Sequence, residues 1–418
     1  MVRDLRESFN RVFKEDLYAA LLDGLAEGLT EIPFRVAETP VFIPAGLQKK
    51  LIKAGNELIA VIRRPDFKAL TEGAVPDVWR VPGENDHPHF LTFDFAVCRD
   101  MQGELVPKLI ELQGFPSLYG FQLHLADCFK RVYDLDAGLC PFFNGFDLHR
   151  YTALLREVIV GDLDPREVAL MDVEVQGQKT LVDFLLTQRL LGIPVLSASE
   201  IFREGRALFY VNGQGVRIQL KRIYNRLIFD ELEASGAATG DADAGVPAGR
   251  GIPAGMGFDP REELDVEWIT HPNWFYRISK YTMPFLKGEF VPETHFLHEL
   301  KSIPADLEHF VLKPLFSFAG AGVRIDVTPE DIRAVQDPQN WILQRKVEYA
   351  PAVHSPEGGV KVEIRLMYLW PDGGEPQLCL NLARLSRGKM IGVNYNRDFN
   401  WVGGTVGLMQ RSHLPETH

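Results

Sequence analysis

Phe90-Leu91-Thr92-Phe93-Asp94-Phe95-Ala96-Val97 and Val106-Pro107-Lys108-Leu109-Ile110-Glu111-Leu112-Gln113 are two apolar, β-prone runs separated by the polar stretch Arg99 to Glu104. Such runs on either side of a short polar turn predict a β-hairpin. Asp94 interrupts the first run; Glu111 and Gln113 interrupt the second. In a strand, residues 111 and 113 project to one face. If Asp94 on the partner strand faces the same way, three oxygen donors converge. Hard divalent cations such as Mg²⁺ take oxygen donors and are commonly shared with nucleotide phosphates. A half-exposed polar strand face is the other reading, but the apolar run leading to Glu111 favours a carboxylate set in a cleft.

Working outward, the pattern changes between Glu157 and Leu220. Val158-Ile159-Val160 reads as a short strand ending at Gly161-Asp162, Thr180 to Leu191 as a helix stopped by Gly192, and Ile193 to Leu196 as a second buried strand. Strand–helix–strand in that order predicts a βαβ unit of a parallel sheet. Ala207 to Val211, the Asn212-Gly213 turn and Val216 to Leu220 predict a further hairpin. Toward the N-terminus, Leu5, Phe9, Val12, Phe13, Leu17 and Leu21 recur at helical steps, and Gly24 and Gly28 end the pattern. Residues Ala234 to Gly257 are nearly all Ala, Gly, Asp and Pro, a flexible insertion that cannot bury enough apolar surface to offset its ordering entropy. Phe310 to Leu315, Trp341 to Val347 and Val362 to Trp370 read as strands. No internal repeat is visible.

The chain of 418 residues suggests two or three domains. Its 46% hydrophobic and 24% charged residues exclude global disorder. A net charge of −12 argues against non-specific binding to nucleic acid or to an anionic membrane. Cys98, Cys128, Cys140 and Cys379 are scattered and form no CxxC pair, as expected of buried thiols in a reducing compartment. No apolar run is long enough to span a membrane, and Met1 to Asp16 lacks the apolar core of a signal peptide, so a cytoplasmic location is expected. GxxxxGK[ST], HExxH and GxSxG are all absent. His87 with His89, and His295 with His298, could each begin a metal site, but no neighbouring Cys or His supports them; solvated or core roles are the plainer reading.

Two further stretches carry chemistry. Lys313-Pro314-Leu315-Phe316-Ser317-Phe318-Ala319-Gly320-Ala321-Gly322-Val323 sets a lysine at a strand end, then small residues, then an apolar run through Val323, Ile325 and Val327. A phosphate-binding hairpin needs unobstructed backbone N–H groups and a nearby cation; an ordinary hairpin with a flexible turn fits the residues too. Leu343-Gln344-Arg345-Lys346-Val347 is either an adenine-binding connector between apolar walls or a plain amphipathic strand.

Together these stretches resemble the ATP-grasp superfamily, specifically its circularly permuted members related to the synthetase domain of glutathionylspermidine synthase. Phe93-Asp94-Phe95 and Glu111-Leu112-Gln113 followed by Pro116-Ser117 look like that group's magnesium acids. Ser279-Lys280-Tyr281 and Pro292-Glu293-Thr294 resemble its lysine helix, and Lys313-Pro314 its second ATP lysine. The acids precede the lysines, as a permuted chain requires. The sequence departs from the group where Gln113 replaces Asn and where Thr92 replaces an Arg.

The resemblance implies a mixed α+β and α/β architecture: a circularly permuted ATP-grasp fold with a Rossmann-like pre-ATP-grasp βαβ domain. It divides the chain into an N-terminal helical segment packing on the core (1–85), the magnesium-binding hairpin (86–155), an α/β substrate domain (156–233), the insertion (234–257), and the lysine, phosphate-loop and adenine-hinge part (258–418). It implies ATP and Mg²⁺ as cofactors. Asp94, Glu111 and Gln113 would hold the metal. Lys280, Lys313, Ser317, Gly320, Gly322, Gln344, Lys346 and Val347 would bind ATP, and Arg365 and Arg384 would act on the transferring phosphoryl. Arg222 and Arg226, four apart and therefore expected on one face, would take a substrate carboxylate or else form a structural ion pair. The implied activity is a carboxylate–amine or carboxylate–thiol ligase working through an acyl phosphate, on small-molecule or peptide substrates. A non-catalytic ATP-binding protein and a kinase that stops at phosphoryl transfer are the alternatives. Neither the substrate pair nor the oligomeric state is legible.

Overall fold

The computed structural model describes residues 1–228, 256–316, 322–388, 396 and 398–411. Its centre is an antiparallel sheet with strands in the order Gly403–Thr405, Gln377–Ser386, Gly358–Leu369, Phe90–Arg99 and Leu105–Gln113. The expected hairpin is therefore present. Alternation along the strands sends Phe93, Phe95, Ile364, Leu366, Ala383 and Leu385 into the largest hydrophobic core. The helix Ala45–Ile62 contributes Leu47, Leu51 and Leu58 to the same core. The opposite face carries Asp94, Glu111, Glu363, Arg365 and Arg384. Asp94 stands in register with both Arg365 and Glu111, and Glu363 with Arg384.

A second sheet is wholly parallel, in the order Glu267–Ile269, Arg222–Asn225, Val168–Asp172, Val195–Ser197. Its βαβ unit runs through the helix Leu181–Leu191, which ends at Gly192 in the left-handed region (φ 75°). The first strand of that unit is Val168–Asp172 and not Val158–Val160. Val158 and Ile159 instead close the helix Leu148–Ile159, where Tyr151, Leu154, Leu155, Val158 and Ile159 fall on one buried stripe. Asp147 caps that helix, its side chain accepting from the Arg150 N–H at 2.8 Å.

Three smaller sheets complete the frame among the described residues: two antiparallel, Thr294–Phe296, Trp341–Arg345 and Phe310–Pro314, and Phe202–Glu204, Ala207–Val211 and Arg217–Leu220, and one mixed, Val41–Phe42, Gly407–Gln410 and Leu139–Cys140. The apolar run Val323, Ile325, Val327 forms no strand; it makes a single antiparallel bridge between Arg324 and Leu312. At the N-terminus the expected single helix is two, Arg3–Val12 and Glu15–Ala26. The chain extends at Phe13 (ψ 132°), whose ring packs on Trp401 at 4.5 Å. Of the expected insertion 234–257, all but Met256 and Gly257 lies outside the described residues. Among the described residues no helix is long and apolar enough to cross a membrane.

Candidate functional site

The acid hairpin is irregular at one point. Asp94 pairs with Glu111 but Phe95 pairs with Leu109, so Ile110 is an extra residue in its strand. Such a β-bulge leaves the inserted residue outside the ladder and re-aims the side chains around it. Here the Ile110 carbonyl turns outward and accepts a hydrogen bond from Lys313 Nζ at 3.2 Å, across 203 residues of sequence. Gly114 follows at the strand end. A Cβ there would sit 2.6 Å from the Trp274 carbonyl and 2.8 Å from Ile278 Cβ, so glycine permits close approach. Its N–H donates to the Ile278 carbonyl at 2.9 Å, which draws Ser279 and Lys280 alongside Gln113. Glu111, Gln113, Phe115, Ser279, Lys280 and Phe316 thus line one cleft, enclosing about 30 Å³. That is room for about one water molecule.

Both lysines are buried. Lys280 opens a short 3₁₀ helix, Lys280–Phe285, and its Nζ lies 3.5 Å from the Leu315 carbonyl. Lys313, 8% exposed, donates to Ile110 and, at 2.6 Å, to Gln344 Oε1, both neutral acceptors. Burial pushes the Lys313 ammonium down to about 8; Glu111 opposes the shift and Lys280 adds to it. Burial also lowers Lys280, again against Glu111. A cation so desolvated favours an anion that would restore its charge.

Gln344 enters the site through its side chain, which also donates to Thr294 Oγ1 at 3.3 Å. Its strand is the middle one of three, so its backbone is paired on both sides. The N–H groups of Arg345 and Lys346 donate to Glu293 and His309 carbonyls. Lys346 Nζ faces Asp326 at 3.8 Å, and Val347 packs half-buried against the main core. Of the expected connector only Gln344 reaches the lysines. Ser317 and Gly320 lie outside the described residues. Gly322 has φ 72°, and a Cβ there would come within 3.0 Å of Pro314, so a side chain is excluded on both counts.

Asp94 is engaged within the protein. Arg365 grips it bidentately, Nε to Oδ1 and Nη2 to Oδ2, both at 2.6 Å, with the two side chains 6% and 2% exposed. Arg384 Nη2 adds a contact of 3.4 Å to Asp94 and its Nη1 pairs with Glu363 at 2.7 Å. Burial raises the Asp94 carboxyl, but Arg365 and Arg384 more than offset it and hold the group below the usual carboxylate range. Burial pushes Glu363 up to about 7, with Arg384 opposing and Asp94 and Glu111 reinforcing. Tyr349 donates to Glu363 at 3.0 Å.

Arg222 and Arg226 flank Tyr224 on one side of the parallel sheet, with Ile223 and Leu227 on the other, and the Arg226 N–H still pairs with the Met171 carbonyl at 2.9 Å; the two guanidinium groups nonetheless have different partners. Arg222 pairs with Glu267 at 2.5 Å, away from the cleft. Arg226, 7% exposed, lies between the rings of Phe115 and Phe184, 4.8 and 5.2 Å from their centroids. Its Nη2 is 3.4 Å from Thr180 Oγ1, while Nε and Nη1 are buried without partners among the described residues, as is the hydroxyl of Tyr224. Phe115 therefore separates the lysine cleft from a second, unsatisfied guanidinium.

Sequence reasoning missed Glu363, Tyr349 and Asp183. The buried Asp183 carboxylate accepts from the N–H groups of Leu118, Gly120 and Phe121 at 2.8–3.0 Å and so fixes the loop that leaves Gln113. An acid inside the apolar run Leu181-Val182-Asp183-Phe184 was the available signal. For Glu363 it was the alternation of Lys361, Glu363 and Arg365 with apolar residues along one strand.

No protein-family model matches the sequence, and no curated protein is similar to it. Among solved structures, the fold is similar to that of a glutathione synthetase-like effector from Globodera pallida in its apo form. The TM-score is 0.58 at 10% identity, covering 97% of this chain and 98% of that one. At that identity the likeness is one of fold alone: a mixed α/β architecture spanning the chain.

Proposed function

We propose that this chain is an ATP- and Mg²⁺-dependent ligase that joins a carboxylate to an amine or thiol through an acyl phosphate, on a circularly permuted ATP-grasp fold. The observation that carries the reading is the Lys313–Ile110 contact, which brings the lysine strand against the acid hairpin near the cleft that Glu111 and Lys280 line. ATP supplies the phosphoryl group that activates the carboxylate, and Mg²⁺ the charge neutralisation that such a transfer needs.

The residues fit a metal in part. Glu111 and Gln113 stand side by side, Gln113 Nε2 donating to Glu111 Oε1 at 3.1 Å, and a half-turn of the amide would offer its oxygen instead. Asp94 does not fit as it stands, because both its oxygens accept from Arg365. Glu111 and Gln113 would hold the ion. Asp94 would instead keep Arg365 and Arg384 in place at the edge of the cleft, where Arg384 can present its planar fork to a phosphoryl oxygen. Lys280 and Lys313 would bind the phosphates, Lys313 exchanging the Gln344 amide for an anionic oxygen. Arg226, with two unsatisfied nitrogens, would anchor the substrate carboxylate beyond Phe115. A cleft of about 30 Å³ admits no triphosphate, so the wall bearing Lys280 and Phe316 must part from the hairpin on binding and close again to exclude water.

The test is ADP release by the purified chain with Mg²⁺-ATP and a panel of carboxylates, each with and without amines and thiols. Nucleophile-dependent ADP release, abolished in Glu111→Ala, supports the ligase. A stable phosphorylated product without nucleophile dependence would identify a kinase. Tight ATP binding with no turnover would favour the second reading, a non-catalytic nucleotide-binding protein; the observation on its side is Asp94, already neutralised without a metal.

A further inference from the structure

A second polar cluster lies where the central and parallel sheets meet, away from the lysine cleft. We propose that His89, Asp372 and Glu267, joined by His87, form a site for one divalent transition-metal ion of the zinc type. His89 is fully buried, and its Nε2 is 3.2 Å from Asp372 Oδ1. His87 Nε2 approaches the same oxygen at 3.5 Å. One ligand atom each from His89, Glu267 and Asp372 lies within 4.8 Å of the others. Donors around a tetrahedral zinc-type ion at about 2.0–2.2 Å stand roughly 3.3–3.6 Å apart, so side-chain rotations that draw the widest pair about 1 Å closer complete the site. Two imidazoles with two carboxylates select a borderline transition ion over Mg²⁺, which prefers oxygen and water.

The surroundings orient these donors. Arg222 Nε holds Glu267 Oε2 at 2.5 Å and its Nη2 lies 3.5 Å from Asp372 Oδ2, which leaves Asp372 Oδ1 turned to the imidazoles. The Arg222 guanidinium packs against Gly161, where a Cβ would come within 2.8 Å of Nη1. It offsets one of the two carboxylate charges and leaves the other for a cation. Trp370 stacks on His87 at 4.5 Å and 12°, and the Asn85 amide is 3.5 Å from His89 Nδ1; both restrict ring rotation, as outer partners of metal ligands do. His89 precedes the central strand Phe90–Arg99, Asp372 sits in the turn between two other central strands, and Glu267 opens the edge strand of the parallel sheet. A bound ion would staple these three segments and stabilise the native chain by mass action.

The experiment uses the full chain, stripped with a chelator and titrated with Zn²⁺ and, separately, Co²⁺. The site predicts one equivalent of metal per chain, visible Co²⁺ d–d absorption, a change in tryptophan fluorescence from Trp370, and a melting temperature that rises with free Zn²⁺. Asp372, its side chain 51% exposed, can be changed without opening the core. Asp372→Asn and His87→Gln should each weaken Zn²⁺ binding at least about tenfold while leaving ATP binding at the lysine cleft unchanged. Less than one equivalent of Zn²⁺ bound by the parent chain, or unaltered affinity in both variants, would overturn the proposal.

Discussion

On one face of the central sheet Asp94 and Glu111 stand opposite each other in register, yet their surroundings differ. Asp94 is closed off: Arg365 satisfies both of its oxygens and Arg384 links it to Glu363. Glu111 borders a cleft that Lys280 also lines, and the buried Lys313 donates to a carbonyl of the acid hairpin and to an amide. The bulge at Ile110 contributes to the difference, since it shifts the register one residue before the acid and gives Lys313 a carbonyl to hold. A buried charge already matched inside the protein maintains the fold; a buried cation held by neutral groups has something left to bind.

The comparison breaks most visibly at its closed end. Arg365→Ala leaves Asp94 buried and uncompensated, an expected loss of about 3–5 kcal/mol in stability by urea unfolding. A loss below about 1 kcal/mol would mean that the pair is not a structural lock. At the open end the outcome is inverted. Lys313→Met should weaken ATP binding by about 1.5–3 kcal/mol, the worth of a charged hydrogen bond, with unfolding stability unchanged or raised. Isothermal titration and urea unfolding on the same variant read both quantities.

Protonation sharpens the contrast further. Lys313, lowered to about 8 by burial, is charged at pH 7 and mostly neutral at pH 9. Phosphate binding requires the charged form, so ATP affinity should fall about tenfold from pH 7 to pH 9. The decline should vanish in Lys313→Met. A flat profile in the parent chain would remove Lys313 from the phosphate site. The smallest structural effect is expected for Glu111→Gln: stability within about 0.5 kcal/mol of the parent, with the Mg²⁺ dependence of nucleotide binding lost.

The open region was more legible in sequence than the closed one. Glu111 and Gln113 stood out because polar side chains interrupt an apolar strand, and the two core leucines, Leu109 and Leu112, are three apart where a regular strand has even spacing. That odd interval was the trace of the bulge. Lys313 was legible from the small residues after it. Glu363 and the Arg365 grip on Asp94 were not, because strand register, fixed only by the assembled sheet, decides which charges meet. Periodicity over Val158-Ile159-Val160 could not separate a strand from the last turn of a buried helix. Arg222 and Arg226 differ in partners, Glu267 for one and the rings of Phe115 and Phe184 for the other, which the assembled tertiary structure decides and composition does not mark.

The claim that most of this depends on is that the acid hairpin and the two lysines enclose one triphosphate. A crystal structure of the chain with Mg²⁺ and a non-hydrolysable ATP analogue measures it directly. The account predicts the β- and γ-phosphates between Lys280 Nζ, Lys313 Nζ and Glu111, with Gln344 released from Lys313. A nucleotide bound elsewhere, or a cleft still closed at saturating analogue, would contradict it.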